Sequence, residues 1–283
     1  MTTVTATAPA ALIAGQFRFF RAEVARVRPL GPGMVRITLH GADLRDFAGG
    51  GRDQSFSLFL PHPGQEEPLV PIEAGAGWFA GWRALDPQVR AVMRSYTVRT
   101  QRPEAGEVDV DFALHGLTGP ASRWAGRARG GERVVLLGPA VADNRSVGFR
   151  PAPSADWTLL AGDESALPAI GAILAGLPAG APVRAWIEVS RLADMQALPT
   201  CADAEVTWLF RDAGGTSRLA GALRTARWPA GTPYAWLAGE CGVVRDLRRH
   251  LVNDRGVPRR SITFSGYWRR GASEEDLRAE AAD

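Results

Sequence analysis

The segment Arg94-Ser95-Tyr96-Thr97 carries side chains suited to an anionic, aromatic cofactor. In a strand, alternation places Arg94 and Tyr96 on one face and Ser95 and Thr97 on the other. An arginine neutralises a phosphate, a tyrosine packs along a flat ring, and Thr97 offers a hydroxyl or backbone group to the ring edge. A flavin dinucleotide needs these contacts, although the same tetrapeptide is also typical of an ordinary half-buried strand.

A glycine-rich turn that opens a helix follows one strand later. A helix N terminus presents unpaired N–H groups and the positive end of its dipole, so this turn suits a pyrophosphate. Ser122 is expected to cap the helix or to donate to the ligand, and His115 either donates to the cofactor or satisfies the turn. The two segments together predict FAD binding, with these residues in the second one: His115, Gly116, Gly119, Pro120, Ala121, Ser122 and Trp124.

These segments resemble the siderophore-interacting proteins, a family of flavin-dependent ferric-siderophore reductases related to the ferredoxin reductases. The resemblance covers nearly everything after residue 15. It implies an antiparallel Greek-key FAD-binding barrel, then a parallel-sheet domain for NADPH or NADH, and electron transfer through FAD to ferric-siderophore iron. It also places Asp111 among the FAD-binding residues. The matching segments are 94–99, 111–116, 119–125, 138–139, 161–170, 238–240 and 265–271.

The chain departs from the family pattern at two positions where relatives carry a cation. Ser57 stands where many relatives have a lysine, and Ala140 follows Gly138-Pro139 where relatives often have Arg-Gly-Ser. Positive charge at the opening of the site would attract an anionic ferric chelate. The candidates to supply it and to contact the substrate are Arg52, Arg145, Arg269 and Arg270.

The composition agrees with a two-domain globular protein and gives no sign of nucleic-acid binding. The chain has 283 residues, of which 46% are hydrophobic, enough for two cores. Its net charge is only +3, and its 33 basic residues are all arginines. The densest basic runs, 245–249 and 259–260, are typical of solvated surface, so we expect no nucleic-acid partner.

The N-terminal segment and the two cysteines indicate in which cellular compartment the protein is expected. Residues 1–15 are an expected flexible tail without the cationic start of a secretory signal, and no run of about eighteen apolar residues is present to span a membrane. Cys201 and Cys241 cannot hold a cluster that needs four ligands, and we expect Cys241 to be a small buried thiol rather than a redox group. The expectation is a cytoplasmic monomer without membrane insertion or a metal of its own.

Residues 16–150 have the pattern of an FAD-binding β-barrel domain. Six β-branched or aromatic segments are separated by Gly and Pro turns, which predicts a barrel. The segment 120–129 is the only convincing helix, where a Greek-key flavin barrel needs its phosphate-binding helix. The segment 68–93, rich in Gly and Trp, has no assignment. The predicted strands are 17–30, 33–39, 54–60, 95–100, 108–114 and 133–137.

Residues 151–266 have the pattern of an NAD(P)H-binding α/β domain, and 267–283 form a C-terminal segment. Strands at 157–160, 183–189, 206–210 and 234–237 alternate with helices that include 166–174 and 243–251. Such βαβ units build a mainly parallel sheet, whose ligands bind beyond the carboxyl ends of the strands. The loops expected to matter are 162–168, 190–196, 210–215 and 239–242.

The first of these loops resembles the glycine-to-proline turn of ferredoxin-reductase relatives, in which proline lies in the first helical turn and loses no hydrogen bond. Asp163 and Glu164 are unfavourable neighbours for a pyrophosphate, so we expect the nicotinamide and ribose here, with Ser165 capping the helix. The alternative is a capped helix start with two solvated acids. The predicted NAD(P)H-binding residues of the loop are Asp163, Glu164, Ser165 and Ala166.

Other candidate residues for the dinucleotide follow later strands. Arg191 and Arg211 each stand where an arginine accepts a ribose 2′-phosphate, which would favour NADPH, or else they are exposed loop arginines. Gly239 and Glu240 lie between a strand and a helix, where the resemblance implies an approach to the nicotinamide and the flavin edge.

Tyr267 and Trp268, expected beyond the last strand, either lay an aromatic plane over the flavin or pack in the core. Hydride transfer needs stacking and distance rather than an acid or base, so no catalytic side chain is predicted. Two alternatives to a ferric-siderophore reductase stay open. One is a general FAD-dependent NAD(P)H oxidoreductase that supplies another acceptor or a partner protein, and the other is a flavin-binding sensor or carrier without efficient turnover.

Overall fold

The computed structural model describes residues 16–114, 119–211 and 215–272. These residues form two compact units, which divide between Val147 and Gly148. Each unit has its own sheet and its own hydrophobic core, so the two are described separately.

The first unit is built on an antiparallel sheet of seven strands in the order β4-β3-β7-β1-β2-β6-β5. Its last strand returns to lie between the first and the third, which is the long connection of a Greek key. The strands are β1 Phe17–Gly31, β2 Met34–His40, β3 Ser55–Leu60, β4 Val92–Thr97, β5 Thr100–Arg102, β6 Glu107–Ala113 and β7 Arg133–Pro139.

The segment between β4 and β5 joins the two edges of this sheet. The Val98 N–H donates to the carbonyl oxygen of Gln54 beside β3 (2.9 Å), and the Arg99 N–H donates to that of Asp109 on β6 (2.9 Å). The sheet therefore curls around one core, to which β1, β2, β3, β6 and β7 all contribute buried apolar side chains. The predicted antiparallel barrel is confirmed.

The segment 68–93, which has no assignment from sequence, covers the second face of β3, β4 and β7. It contains the helix α1, Trp78–Ala84. Trp78 and Trp82 lie four residues apart, so both reach the sheet, where they pack with Phe59 and Met93. The prediction of a single helix in this half is therefore wrong. Tertiary packing of two tryptophans stabilises a helix in a glycine-rich segment of low intrinsic propensity.

The second unit is a parallel sheet of five strands in the order β10-β9-β8-β11-β12, with α3 against one face and α4 and α5 against the other. Both faces are covered, so the central strand β8 is buried along its whole length. The predicted parallel sheet is confirmed. Its elements are β8 Trp157–Gly162, α3 Leu167–Gly176, β9 Pro182–Val189, β10 Asp203–Phe210, α4 Leu219–Thr225, β11 Pro233–Glu240, α5 Cys241–Asn253 and β12 Ile262–Trp268.

Two details of the second unit differ from the prediction. Tyr267 and Trp268 belong to β12 itself and do not lie beyond the last strand. The helix α4 was not predicted, because it is short and buries only Leu219 and Leu223. Short 3-10 helices occur at Ala42–Asp46, Ile72–Gly77, Pro103–Ala105, Leu192–Asp194 and Arg259–Ser261. Within the described ranges no helix is long and apolar enough to cross a membrane.

Candidate functional site

The strand β4 carries the first predicted segment. Arg94 and Tyr96 are both half-buried, as expected for neighbours on one face, whereas Ser95 is exposed and Thr97 is buried at the end of the strand. The Arg94 guanidinium donates to the carbonyl oxygen of Met93 (2.8 Å), which holds the charged end of this side chain against its own strand.

The helix α2, Pro120–Ala125, follows β6 and begins after Gly119, whose backbone is extended. Pro120 takes the first helical position, where its missing N–H costs nothing. The first hydrogen bond within the helix runs from the Arg123 N–H to the Gly119 carbonyl oxygen (3.0 Å). The N–H groups of the second and third helical residues, Ala121 and Ser122, therefore have no acceptor inside the helix.

Two predictions about this helix are corrected. Ser122 is not the N-cap, because it is already the third residue of the helix, and its Oγ donates instead to the carbonyl oxygen of Ala113 at the end of β6 (3.2 Å). The helix also ends at Ala125 rather than at 129, since Gly126 follows and glycine is a poor helix former. His115 and Gly116 lie outside the described residues.

Phe112 joins the two predicted segments, and sequence reasoning missed it. The centroid of its ring lies 4.3 Å from the ring centroid of Tyr96 and 5.7 Å from that of Trp124, so one row of aromatic side chains links β4, β6 and α2. Trp124 is buried, yet its Nε1 has no hydrogen-bond acceptor among the described residues. The alternation of apolar and polar residues along β6 could have indicated Phe112 as a core residue, but not its two aromatic neighbours.

Asp111 has a structural partner within the barrel. Its carboxylate accepts two hydrogen bonds from the Arg36 guanidinium, at 2.6 and 2.7 Å, and its side chain is fully buried. This ion pair holds β6 against β2. Both carboxylate oxygens are engaged by a strong donor, so the geometry gives Asp111 a role in the sheet rather than at a ligand.

Arg52 and Arg145 lie on two loops that are linked by hydrogen bonds between two buried side-chain amides. Gln54 and Asn144 exchange two hydrogen bonds, and Asn144 also accepts from the Ser146 N–H (3.0 Å). Arg52 has a left-handed backbone with φ of 55°, a conformation that costs energy for a residue with a Cβ. Arg145 is exposed. The hydrogen bonds between Gln54 and Asn144 therefore hold the loop that carries Arg52 next to the loop that carries Arg145.

Asp163 fastens three strands at the carboxyl edge of the parallel sheet. This edge contains the switch point between β8 and β11, from which the strand order runs in opposite directions. The buried carboxylate accepts from the Ser165 N–H (2.9 Å) and Oγ (2.5 Å), from the Glu240 N–H (3.0 Å) and from Trp268 Nε1 (2.8 Å). Burial raises its pKa. Ser165 therefore does not cap α3, because its hydroxyl is bound by Asp163 and Ala166 occupies the N-cap position.

Arg211 lies among three carboxylates, which the sequence did not reveal. Its guanidinium donates to both oxygens of Glu164 and to Glu188 (3.1 Å), and it lies 3.8 Å from Asp163. Only 14% of the Arg211 side chain is exposed. Arg211 is therefore not an exposed loop arginine, and its guanidinium is bound by carboxylates and is not open to a ribose 2′-phosphate. Glu164 is not a solvated acid either, since it is buried and also accepts from the Ser190 Oγ (3.0 Å).

The electrostatics of this cluster follow from its burial. Burial raises the pKa of Glu188, although the N–H of Arg218 and the charge of Arg211 oppose that rise. Burial alone would lower the pKa of Arg211, but hydrogen bonding to Glu164 and the surrounding carboxylates raise it above its ordinary value. Arg211 is therefore held as a fixed cation.

Gly239 and Glu240 have positions that explain their residue types. Gly239 has a φ of 135°, and a Cβ there would lie 2.8 Å from the carboxyl carbon of Asp163, so only glycine fits. The Glu240 carboxylate caps α5 by accepting from the Val243 N–H (2.9 Å). Cys241 follows it, half-buried, and burial raises the pKa of its thiol, as suits an unreactive cysteine.

A cavity of about 320 Å³ opens at this edge of the sheet. It lies beyond the carboxyl ends of the strands, where open parallel sheets bind their ligands. Among the described residues its polar lining combines carboxylates, hydroxyls and two guanidinium groups: Asp163, Glu188, Arg211, Thr216, Ser217, Glu240 and Arg270.

The other predicted residues of this unit lie at different places. Arg191 is exposed just after β9, at the carboxyl edge of the sheet. Trp268 lines the cavity, whereas the Tyr267 ring packs 6.5 Å from that of Trp236 in the core. Arg270 lies at the cavity, where its guanidinium donates to the carbonyl oxygen of Gly215 (2.8 Å). Arg269, the residue before it, is half-buried.

Two family descriptions match the chain, one in each half. Residues 23–143 match the siderophore-interacting FAD-binding domain, and residues 155–271 match the siderophore-interacting protein domain. Among curated proteins, the chain is 32% identical over 250 residues to the ferric vibriobactin reductase ViuB of Vibrio cholerae, covering 87% of this chain and 88% of ViuB.

Solved structures agree with these matches. The siderophore-interacting protein SipS of Aeromonas hydrophila is 31% identical, with a TM-score of 0.76 over 94% of this chain and 97% of SipS. A siderophore utilization protein from T. fusca is 34% identical, also with a TM-score of 0.76, over 91% of this chain and 95% of that one.

Proposed function

The chain belongs to the siderophore-interacting protein family and is an FAD-dependent oxidoreductase, and from this premise we propose that it carries electrons from NAD(P)H through FAD to the iron of a ferric siderophore. Ferrous iron is then released. The observation that carries the proposal is the match of both halves of the chain to siderophore-interacting domains, together with a relative of almost equal extent that is named a ferric vibriobactin reductase.

FAD suits the residues of the first unit, which we propose as its domain, residues 16–150. The N–H groups of Ala121 and Ser122, which have no acceptor within α2, suit a pyrophosphate, and Arg94 on β4 supplies positive charge. Trp124 offers a buried N–H that lacks an acceptor among the described residues, and Tyr96 offers a half-buried ring. Bound FAD supplies the capacity to accept a hydride and to give up electrons one at a time.

The second unit, residues 151–266 with the end of β12, is the proposed site of the nicotinamide dinucleotide. The cavity beyond β8 and β11 supports this, because ligands of parallel sheets bind at the switch point. Asp163 positions the loops on either side of the cavity, while Glu240 and Trp268 form part of its wall. Arg191, exposed at the same edge of the sheet, contacts a phosphate of the dinucleotide from solvent.

The ferric chelate is the proposed electron acceptor. Hard oxygen donors hold ferric iron more tightly than ferrous iron, so reduction loosens the metal without chemistry on the chelator. Arg52 and Arg145 supply the positive charge that Ser57 and Ala140 lack, supported by the amide pair that fastens their loops. In the second unit, Arg269 and Arg270 are the residues that we propose supply positive charge to the ferric chelate. We propose that the protein works as a cytoplasmic monomer.

Anaerobic stopped-flow absorbance tests this function. The FAD-loaded protein is mixed with NADH or NADPH, and ferric chelates are added to the reduced protein. Bleaching of the flavin band by a nicotinamide, followed by fast reoxidation with ferric siderophore, is expected. Fast bleaching with no response to any ferric chelate would contradict the acceptor and favour a reductase for another partner. If neither nicotinamide bleaches the flavin, the proposed donor is wrong.

A further inference from the structure

Arg99, in the segment between β4 and β5, is a buried arginine whose guanidinium has no hydrogen-bond acceptor among the described residues. Only 9% of its side chain is exposed, and the nearest carboxylate oxygen, on Asp111, lies 4.0 Å from its Nε. Burial lowers the pKa of Arg99, and the charge of Asp111 opposes that fall. Arginine keeps its proton in proteins, so a desolvated positive charge lies here without a hydrogen-bonded counter-ion.

The carboxylates of β6 do not compensate the charge of Arg99, because other arginines bind them already. Each accepts hydrogen bonds of 2.6–2.8 Å from an arginine of β1, β2 or β5: Glu107 from Arg26 and Arg102, Asp109 from Arg102, and Asp111 from Arg36. Asp111 uses both of its oxygens for Arg36. Counting Arg99, four arginines accompany three carboxylates, so this group of side chains carries a net charge of +1.

The backbone places this charge beside the segment that is predicted to contact the flavin ring. The N–H groups of Val98 and Arg99 donate in opposite directions, the first to the chain just before β3 and the second to β6, as in an extended chain. Side chains alternate in such a chain, and Val98 packs in the barrel core, so Thr97 and Arg99 both point away from that core. Two residues of extended chain span about 6.6 Å. Arg99 is therefore close to Thr97, which is expected at the ring edge.

The end of β6 lies on the other side of the Arg99 guanidinium. Asp111, its neighbour, is followed two residues later by Ala113, whose carbonyl oxygen accepts a hydrogen bond from Ser122 of α2 (3.2 Å). The uncompensated charge therefore lies between the end of β4 and the part of β6 that leads to α2. These are the two parts of the chain between which FAD is proposed to bind.

Reduction gives FAD a negative charge that a neighbouring cation stabilises. A hydride from the nicotinamide brings two electrons and one proton, so the ring system gains one negative charge unless a second proton follows. We propose that Arg99 is the cation that stabilises this negative charge, and that it thereby raises the midpoint reduction potential of bound FAD. The inference rests on the proposed function, since it concerns the cofactor at the proposed site. A buried guanidinium is little screened by solvent and salt, so its charge acts strongly on a nearby ligand.

The test measures the midpoint potential of the FAD-loaded full chain by equilibration with redox dyes of known potential, which requires neither NAD(P)H nor a ferric chelate. Arg99→Gln keeps a polar side chain but removes the charge. Reduced FAD should then bind at least about tenfold less tightly relative to oxidised FAD, which is a fall of about 30 mV for a two-electron couple. Arg99→Lys keeps the charge and should recover at least half of that fall. Arg26→Gln is the matched control, since it removes an arginine of the same group that is 58% exposed, and it should leave the potential unchanged.

A structural role of Arg99 gives a different result. Arg99→Gln leaves every carboxylate of β6 its own arginine, so the variant should fold, and a lower Tm with an unchanged potential would overturn the inference. Equal falls in potential for Arg99→Gln and Arg99→Lys would also overturn it, because charge would then not be the cause. If a variant loses FAD on purification, the ratio of its dissociation constants for oxidised and reduced FAD gives the same quantity. Failure of the wild type to bind FAD would instead overturn the proposed function itself.

Discussion

Replacing Arg211 with methionine removes the cation that holds the acidic cluster of the second unit. Methionine keeps much of the side-chain length and apolar volume but has no donor. Glu164, Glu188 and Asp163 would then be buried carboxylates without a guanidinium partner, at side-chain exposures of 6%, 1% and 4%. The retained hydrogen bonds from Ser217 and Arg218 to Glu188 do not replace a full positive charge.

The expected loss is large because the pairs are buried. Removing one partner of a buried ion pair costs about 3–5 kcal/mol, since the other charge stays desolvated and unpaired. At roughly 2–4 °C for each kcal/mol in a chain of this size class, the second unit should melt about 6–20 °C lower. Arg184→Met is the matched control, since its partner Glu205 is 68% exposed and such a solvated pair contributes only about 0–1 kcal/mol.

The pH dependence of the loss identifies its cause. Without Arg211 the pKa of Glu188, already raised by burial, rises further. A carboxyl group with a raised pKa in the folded state contributes stability below its unfolded pKa and loses it as the pH rises through the folded value. The variant should therefore lie closer to the wild type at pH 5 than at pH 8, as measured by thermal unfolding followed by circular dichroism. A drop in Tm no larger than that of Arg184→Met, or one that is equal at both pH values, would refute the reasoning.

Three further perturbations test other parts of the structure. Arg94→Ala should weaken FAD binding at least about tenfold, so that the protein is purified nearly colourless. If the FAD content, measured by flavin absorbance, equals that of the exposed control Arg28→Ala, Arg94 does not belong to the FAD site. Gly239→Ala should destabilise the second unit by about 1–3 kcal/mol, because its φ is 135° and a carboxylate lies in the way, whereas Gly221→Ala, with open space around it, should not. Two arginines lower the pKa of Glu107 to about 2, so the wild type should lose stability as the pH falls from about 4.5 towards 2. In Glu107→Gln this carboxylate is absent, so the variant should lose less stability over the same pH range. Equal falls in Tm for the wild type and the variant between these pH values would contradict this.

The pattern of the chain predicts the architecture because both sheets depend on local signals. Turn residues separate the barrel strands, and the change to strand-helix alternation after residue 151 sets the parallel sheet. The helix α1 escaped prediction because only the neighbouring sheet surface, which supplies partners for Trp78 and Trp82, makes it favourable.

The candidate site was predictable in its position but not in its contacts. Gly162 to Pro168 marks the loop after β8, and parallel topology places it at the edge where ligands bind. What the sequence could not reveal is that Arg211, 47 residues after Glu164, is bound by that acid, and that Trp268 donates to Asp163. These contacts join residues far apart in the chain, so no local spacing encodes them.

We expect the first unit to bind FAD between β4 and the start of α2, and a crystal structure of the FAD complex would show whether it does. We expect pyrophosphate oxygens within hydrogen-bonding distance, about 3 Å, of the N–H groups of Ala121 and Ser122, with the Arg94 guanidinium alongside. A pyrophosphate that lies elsewhere, with those N–H groups facing solvent or another part of the protein, would contradict it.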